Sequence, residues 1–307
     1  MRITTLAGGV GAAKFLKGLV EAVDPTSVTV IGNTGDDAII HGLHVSPDLD
    51  TLTYTLAGVV DELKGWGIRG DTSHALDQMS RYGVDPWFSL YDRDIGTHLA
   101  RTTLLMEGFT LSQVTDRIRR SLGVETQILP MSDQPVRTRV ITEGGVDRPF
   151  QEYFVRFSHR EPVSEVRFEG ADSASPAAGV LEAIAVADRI IVCPSNPLLS
   201  IGPILAVPGI REALRARRPA VFGISPIVGG RALKGPAAEL MPVAGAETSA
   251  FGVAWLYSSF CGTLVIDEVD VPDADRINYL GVRPLVTDTV MKGTSDARRL
   301  AQVIVDA

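Results

Sequence analysis

Four carboxylates fall within fifteen positions of one another in the stretches GNTGDD and SPDLD: Asp36, Asp37, Asp48 and Asp50. Clusters of hard oxygen donors suit Mg²⁺, which takes one or two carboxylates and fills the rest of its shell with water and phosphate. Asp36 and Asp50 are read as a metal-binding and catalytic pair facing the glycine turn that precedes them in the chain. The competing reading makes Asp48 or Asp50 an ordinary cap of the helix beginning LTYTL.

That glycine turn is TLAGGVGAAKFLKGL, beginning at Thr5. It joins an apolar run to a helical pattern, where α/β proteins offer backbone N–H groups and a positive helix end to a phosphate. It matches neither standard phosphate loop. Phe15 follows Lys14, so the lysine-hydroxyl ending of a P-loop is missing, and Lys14 stands where a dinucleotide fingerprint has its third glycine. Asp36 or Asp37 lies at the distance of an NAD ribose ligand, but a Gly-Asn-Thr-Gly turn separates it from the strand end, so dinucleotide binding is the weaker reading.

Further polar stretches follow. In YDRDIGTHL, a helix starting near Asp94 puts Asp94 and His98 on one face at i, i+4. A histidine oriented by a carboxylate can contact a phosphate or a substrate hydroxyl, and a structural pair explains the spacing equally well. Pro194-Ser195-Asn196-Pro197 presents a hydroxyl and an amide on a proline-stiffened loop suited to a base edge or a phosphate, with a plain turn as the alternative. Ser225-Pro226-Ile227-Val228-Gly229-Gly230 repeats the design, with Lys234 as a phosphate partner nearby. No G-x-S-x-G supports a serine hydrolase.

The elements that must position these groups read as α/β. Residues 2–7 form a strand, and Phe15, Leu19 and Val23 mark one helix face with Leu16 and Val20 alongside. Pro25 ends that helix, and VTVI (28–31) is the next strand. This β-turn-α-β unit predicts a mostly parallel sheet with helices on both faces. ADRIIVC, PAVFGIS, TLVIDEV and PLVTDT read as later strands, with helices over 181–187, 211–218 and 295–306 between and after them. PSNPLLSIGP and PIVGGRALKGP read as loops at strand ends, where open α/β sheets bind ligands. Residues from about 62 to 125 read as helices and loops, and VRTRVITEGG and FQEYFVRF as antiparallel strands. The expectation is a single domain over 1–307 with an α+β insertion at about 62–170.

Composition narrows the classes. The chain has 307 residues, 45% apolar and 21% charged, enough for a sizeable core. A net charge of −8 argues against a nucleic-acid surface held by excess basic charge. It also means that a phosphate ligand needs local cations or a metal. Cys193 and Cys261 have no metal or redox spacing and read as buried hydrophobes. No apolar run reaches the ~18 residues of a membrane helix, and no signal peptide is legible, so the protein is read as cytoplasmic with no membrane partner.

AGGVGAAKFLKGL, GNTGDDAIIHG, SPDLDTLTYTL, YDRDIGTHL, ILPMSDQPV, PSNPLLSIGPILAVPGIREAL and SPIVGGRALKGPA occur in this order from residue 5 to beyond 240. Together they resemble the phospholactate/phosphoenolpyruvate transferase family of coenzyme F-420 biosynthesis, CofD in archaea and FbiA in actinobacteria. The resemblance implies a Rossmann-like core, a homodimer, Mg²⁺, and transfer of a phospho-acid from a guanosine diphosphate-linked three-carbon acid to the deazaflavin Fo, with release of GMP. It implies that Gly9, Gly11, Lys14, Thr34, Ser195, Asn196 and Gly229 hold the nucleotide and its phosphates. It further implies that Asp50, Ser89, Asp94 and His98 contact Fo, although Ser89 stands where archaeal relatives carry a basic residue. GGVG with GDD resembles the actinobacterial branch. The transferred acid, a phosphoenolpyruvate, 2-phospholactate or 3-phosphoglycerate moiety, is not legible from sequence. A nucleotide or nucleotide-sugar sensor without transferase activity is the second hypothesis, and an NAD-dependent oxidoreductase the third.

Overall fold

Parallel strands buried on both faces need continuous rather than alternating apolar runs, and the strand segments of this chain are such runs. The computed structural model describes residues 1–233 and 235–307; the reading of Lys234 as a phosphate partner lies outside the described residues. Seven strands form one sheet: β1 (Ile3–Ala7), β2 (Val28–Gly32), β3 (Gln127–Pro130), β4 (Arg189–Val192), β5 (Val221–Ile224), β6 (Thr263–Ile266) and β7 (Arg283–Val286). Their spatial order is β7-β6-β5-β4-β1-β2-β3, and every neighbouring pair is parallel. The fold is α/β and Rossmann-like. The chain winds outward from β1 to β3, returns, and winds outward again from β4, so the strand order reverses between β1 and β4. Ligands of such sheets bind at that switch point, outside the carboxyl ends of the strands.

Strands β1 to β6 each feed two cores. In β4, Ile190 and Val192 pack on one face with Leu6 and Ile31, while Ile191 packs on the other with Val30 and Ala7. Helix α1 (Gly9–Ala22) covers the second face through Phe15, Leu16 and Leu19, packed with Leu300 and Ile304 of the C-terminal helix Thr294–Asp306. Helices Val180–Val186, Ile210–Ala216 and Ala250–Tyr257 cover the first. Both cysteines are buried and unpaired.

Three local expectations need correction. Gln127–Pro130, within the stretch read as an insertion, is the edge strand of the main sheet, paired in parallel with β2. A four-residue apolar run carries too little periodicity to announce this. FQEYFVRF is not a strand: Glu152–Arg156 forms a π-helical turn. Phe150, Tyr153 and Phe154 are spaced for one helical face and pack around Val140. The antiparallel partners of Arg137–Thr142 are instead Asp147–Pro149 and Val163–Glu169. PSNPLLSIGP is a loop only as far as Asn196. Asn196 accepts the N–H groups of Leu198 and Leu199 at 2.9 and 3.1 Å and starts the helical segment Pro197–Ala206.

Candidate functional site at the sheet switch point

The turn after β1 meets the turn after β4. The Ser195 hydroxyl donates to the Gly8 carbonyl at 2.8 Å, tying the two strand ends together. Gly9 follows with φ +75°, in the left-handed region that glycine adopts without strain. A Cβ on Gly11 would stand 2.5 Å from the Pro194 carbonyl oxygen. Gly11 is therefore required by the close approach of α1 to the β4 turn, whatever else it contacts.

The carboxylates gather beside this junction. Helix α2 (Pro47–Leu56) begins five residues before LTYTL, because Pro47 occupies the first helical position, where its missing N–H and fixed φ cost nothing. Asp48 and Asp50 consequently sit inside the first turn, buried, and neither caps α2. Asp48 reaches across and accepts the Gly9 N–H at 2.8 Å. Its other oxygen accepts the Asn33 amide at 2.8 Å. Asn33 also donates to the Leu199 carbonyl at 3.3 Å and accepts the Gly35 N–H at 2.8 Å, which shapes the turn that presents Asp36. One side chain thus joins the ends of β2 and β4 to α2.

Asp36 is buried, and its Oδ1 has no protein partner. Burial, with the charge of Asp48 added, holds its carboxyl well above the usual carboxylate range. Burial likewise pushes Asp48 up to about 6, although the Asn33 and Gly9 hydrogen bonds pull the other way. Asp37 rises to about 7 for the same reason, against the hydrogen bond from Ser46 at 2.8 Å and the charges of Arg137 and Arg101. Beside it, burial and then the nearby guanidinium groups push His44 down to about 4, so it is neutral at pH 7.

Asp50 has a different environment. Arg101 Nη1 donates to Asp50 Oδ2 at 3.0 Å and Nη2 pairs with Oδ1, a bidentate fork. Arg101 is 1% exposed. Burial opposes its charge, and Asp50 together with Tyr54 and Asp37 overcomes it and raises its pKa. Helix α3 (Asp92–Met106) supplies Arg101 together with Asp94 and His98. The i, i+4 pair does meet: His98 Nε2 lies 3.3 Å from Asp94 Oδ1, which also accepts the Tyr54 hydroxyl at 2.8 Å. His98 Nδ1 is 3.1 Å from Arg101, so α2 and α3 are joined by one continuous buried network.

The two expected metal carboxylates therefore lie in unlike settings. The unpartnered Oδ1 of Asp36 and the mutual repulsion of Asp36 and Asp48 fit a divalent cation, which removes that repulsion. The oxygens of Asp50 are taken by Arg101. Among the described residues no group of three or more His, Cys, Asp or Glu side chains is arranged to hold a metal.

The phosphate-binding expectations divide similarly. Thr34 is buried with an unpartnered hydroxyl, and the Asn196 amide nitrogen is buried without a partner. Lys14 is half-buried on α1 and has no ion pair among the described residues. The Gly9 N–H is occupied by Asp48, so a phosphate reaches it only by displacing that carboxylate. The Gly229 N–H donates to Asp270 at 3.0 Å. Ser89 is half-buried in the segment leading to α3. Sequence reasoning missed Asn33, Tyr54 and Arg101. Arg101 had a signal, since it falls on the same helical face as Asp94 and His98, at i+7 and i+3.

Comparisons with known proteins place the chain in a family and confirm its fold. The family described as 2-phospho-L-lactate transferase CofD matches residues 3–300. A phosphoenolpyruvate transferase of Kitasatospora aureofaciens is 50% identical, covering 100% of this chain and 98% of that protein. One from Streptomyces coelicolor is 46% identical over 92% of this chain and 90% of its own length, and one from Mycolicibacterium smegmatis 40% identical over 92% and 91%. A crystal structure of a UPF0052 family member from Bacillus halodurans has the same fold, with TM-score 0.67 and 17% identity over 99% of this chain and 100% of that one. This chain is a transferase that belongs to the CofD family.

Proposed function

We propose that this protein transfers a phospho-acid from its guanosine diphosphate-linked form to the primary alcohol of the deazaflavin Fo, releasing GMP, in coenzyme F-420 biosynthesis. The phosphoenolpyruvate moiety is the proposed cargo, because the relatives at 40–50% identity named above are phosphoenolpyruvate transferases. The alcohol oxygen gives up its proton to solvent and forms a bond to the phosphorus that carries the acid, the diphosphate P–O bond breaks, and GMP leaves with the electron pair. Transfers of this kind depend on positioning and charge neutralisation more than on a covalent protein nucleophile.

The observation that carries this reading is the meeting of the Gly8–Ser195 junction with the buried carboxylates Asp36 and Asp48 at the switch point of the sheet. Mg²⁺ bound by Asp36 and Asp48 supplies positive charge to the diphosphate of the donor, which an acidic protein otherwise lacks. Thr34, Lys14, Ser195 and Asn196 hold and orient the nucleotide. Asp50, fixed by Arg101, faces the Fo hydroxyl with Asp94, His98 and Ser89. The fork with Arg101 supports giving the metal to Asp48 and leaving Asp50 for the acceptor. The protein is further proposed to act in the cytoplasm as a homodimer; no single helix among the described residues is long and apolar enough to cross a membrane.

The test is to mix purified protein with Fo, Mg²⁺ and each guanylylated three-carbon acid in turn and read products by mass spectrometry. A single Fo–phosphoenolpyruvate product, formed only with Mg²⁺, is expected. GDP binding with no product from any donor overturns the reading in favour of a nucleotide sensor.

A further inference from the structure

We infer that this chain carries a second small-molecule site, for a compact apolar monocarboxylate, in the cavity between the helical segment Pro197–Ala206 and the helix Ala250–Tyr257. The cavity measures about 270 Å³ and is walled by Phe168, Leu198, Leu205 and Leu256, with Arg211, Tyr257 and Glu165 among its polar lining. Clefts that take drug-sized ligands run to ~300–1,000 Å³, so a smaller molecule fits.

Two polar groups on this wall are unmatched. Arg211 makes no hydrogen bond or ion pair among the described residues, and its guanidinium lies over the Phe260 ring at 5.6 Å. Tyr257 is 1% exposed and its hydroxyl has no partner. A guanidinium offers only donors, and a phenol donates where no acceptor has been supplied. Their complement is an anionic acceptor, and the aliphatic and aromatic walls ask for an apolar body attached to it. Glu165 is already paired with Arg167 at 2.6 and 2.8 Å, so the guanidinium of Arg211, unpaired among the described residues, matches a single negative charge and not the two of a dianionic phosphate. The site is distinct from the glycine turn. Leu198 and Gly202 line it, while Leu199 and Ser200 of the same segment turn to Asn33 and Gly8.

Isothermal titration of the full chain with octanoate tests the proposal, with octanol, inorganic phosphate and GDP as competitors. The expected result is saturable binding of one equivalent. Arg211→Leu weakens it at least tenfold, and so does Ala244→Trp, which fills the cavity from its rim and keeps Arg211. Octanol and phosphate compete poorly, and saturating GDP leaves the equivalent bound. Thermal melts identify a variant that fails to fold, and either variant alone suffices. No saturable binding to wild type, unchanged affinity in the folded variants, stronger binding of phosphate, or complete displacement by GDP each overturns it. Binding is read without turnover, so the result is independent of the transferase reading.

Discussion

Arg101, on α3, meets both carboxylate oxygens of Asp50, on α2, with both side chains buried. Removing one partner of a buried pair leaves the other charge uncompensated, at a cost of about 3–5 kcal/mol. Arg101→Met is expected to lose stability on that scale in urea unfolding. Adding Asp50→Asn to Arg101→Met should recover most of the loss. Simple addition of the two single losses would show that the residues are not energetically coupled.

Asp36→Asn and Asp48→Asn are expected to abolish turnover, by at least 100-fold, with unchanged circular dichroism. They should also remove the rise in melting temperature that Mg²⁺ gives the wild type, since ligand binding to the folded state alone stabilises it. Asp50→Asn should lower turnover while leaving the Mg²⁺-dependent melting shift in place. A shift lost in Asp50→Asn and kept in Asp48→Asn would return the metal to Asp50.

Metal-free protein should lose stability as pH rises from about 4 to about 7. The folded state holds protons on Asp48 up to about 6 and on Asp37 up to about 7, whereas the unfolded chain releases them near ~3.9. Between those limits Asp48 and Asp37 together bind more protons in the folded state than the one His44 gives up on folding, so the unfolding free energy falls with pH. Melting temperatures across this range, with and without Mg²⁺, measure the effect. Asp48→Asn should flatten the lower part of the slope, and a melting temperature that rises through the window in metal-free buffer contradicts the assignment.

Gly11→Ala is expected to destabilise by about 1–3 kcal/mol, the usual cost of forcing extra volume into a packed site, because its Cβ would meet the Pro194 carbonyl at 2.5 Å. GDP affinity should fall with it, since the same displacement moves the Ser195–Asn196 turn. Calorimetric melting and GDP titration check the two effects together. A variant with wild-type stability and weakened GDP binding would make Gly11 a ligand contact and not a packing residue.

Features written in short-range pattern were legible in the sequence alone. The apolar run, glycine turn and helical face of residues 2–23 specify β1, the turn and α1, because each depends on neighbours within a few residues. The i, i+4 spacing of Asp94 and His98 likewise brings them together on α3 by helix geometry. Even the carboxylate cluster could be counted, though not divided into its parts. That division belongs to the tertiary structure. Asp48 meets Gly9 across 39 positions and Arg101 meets Asp50 across 51, and helical periodicity says nothing about pairs so far apart. Gln127–Pro130 became a main-sheet strand because β2 offered an open edge, while Phe150–Phe154 turned helical because Val140 gave that face something to pack on. Which carboxylate is neutralised by an arginine and which is left for a cation depends on what packing places beside each one, because burial and neighbouring charge, rather than residue type, set how an aspartate behaves.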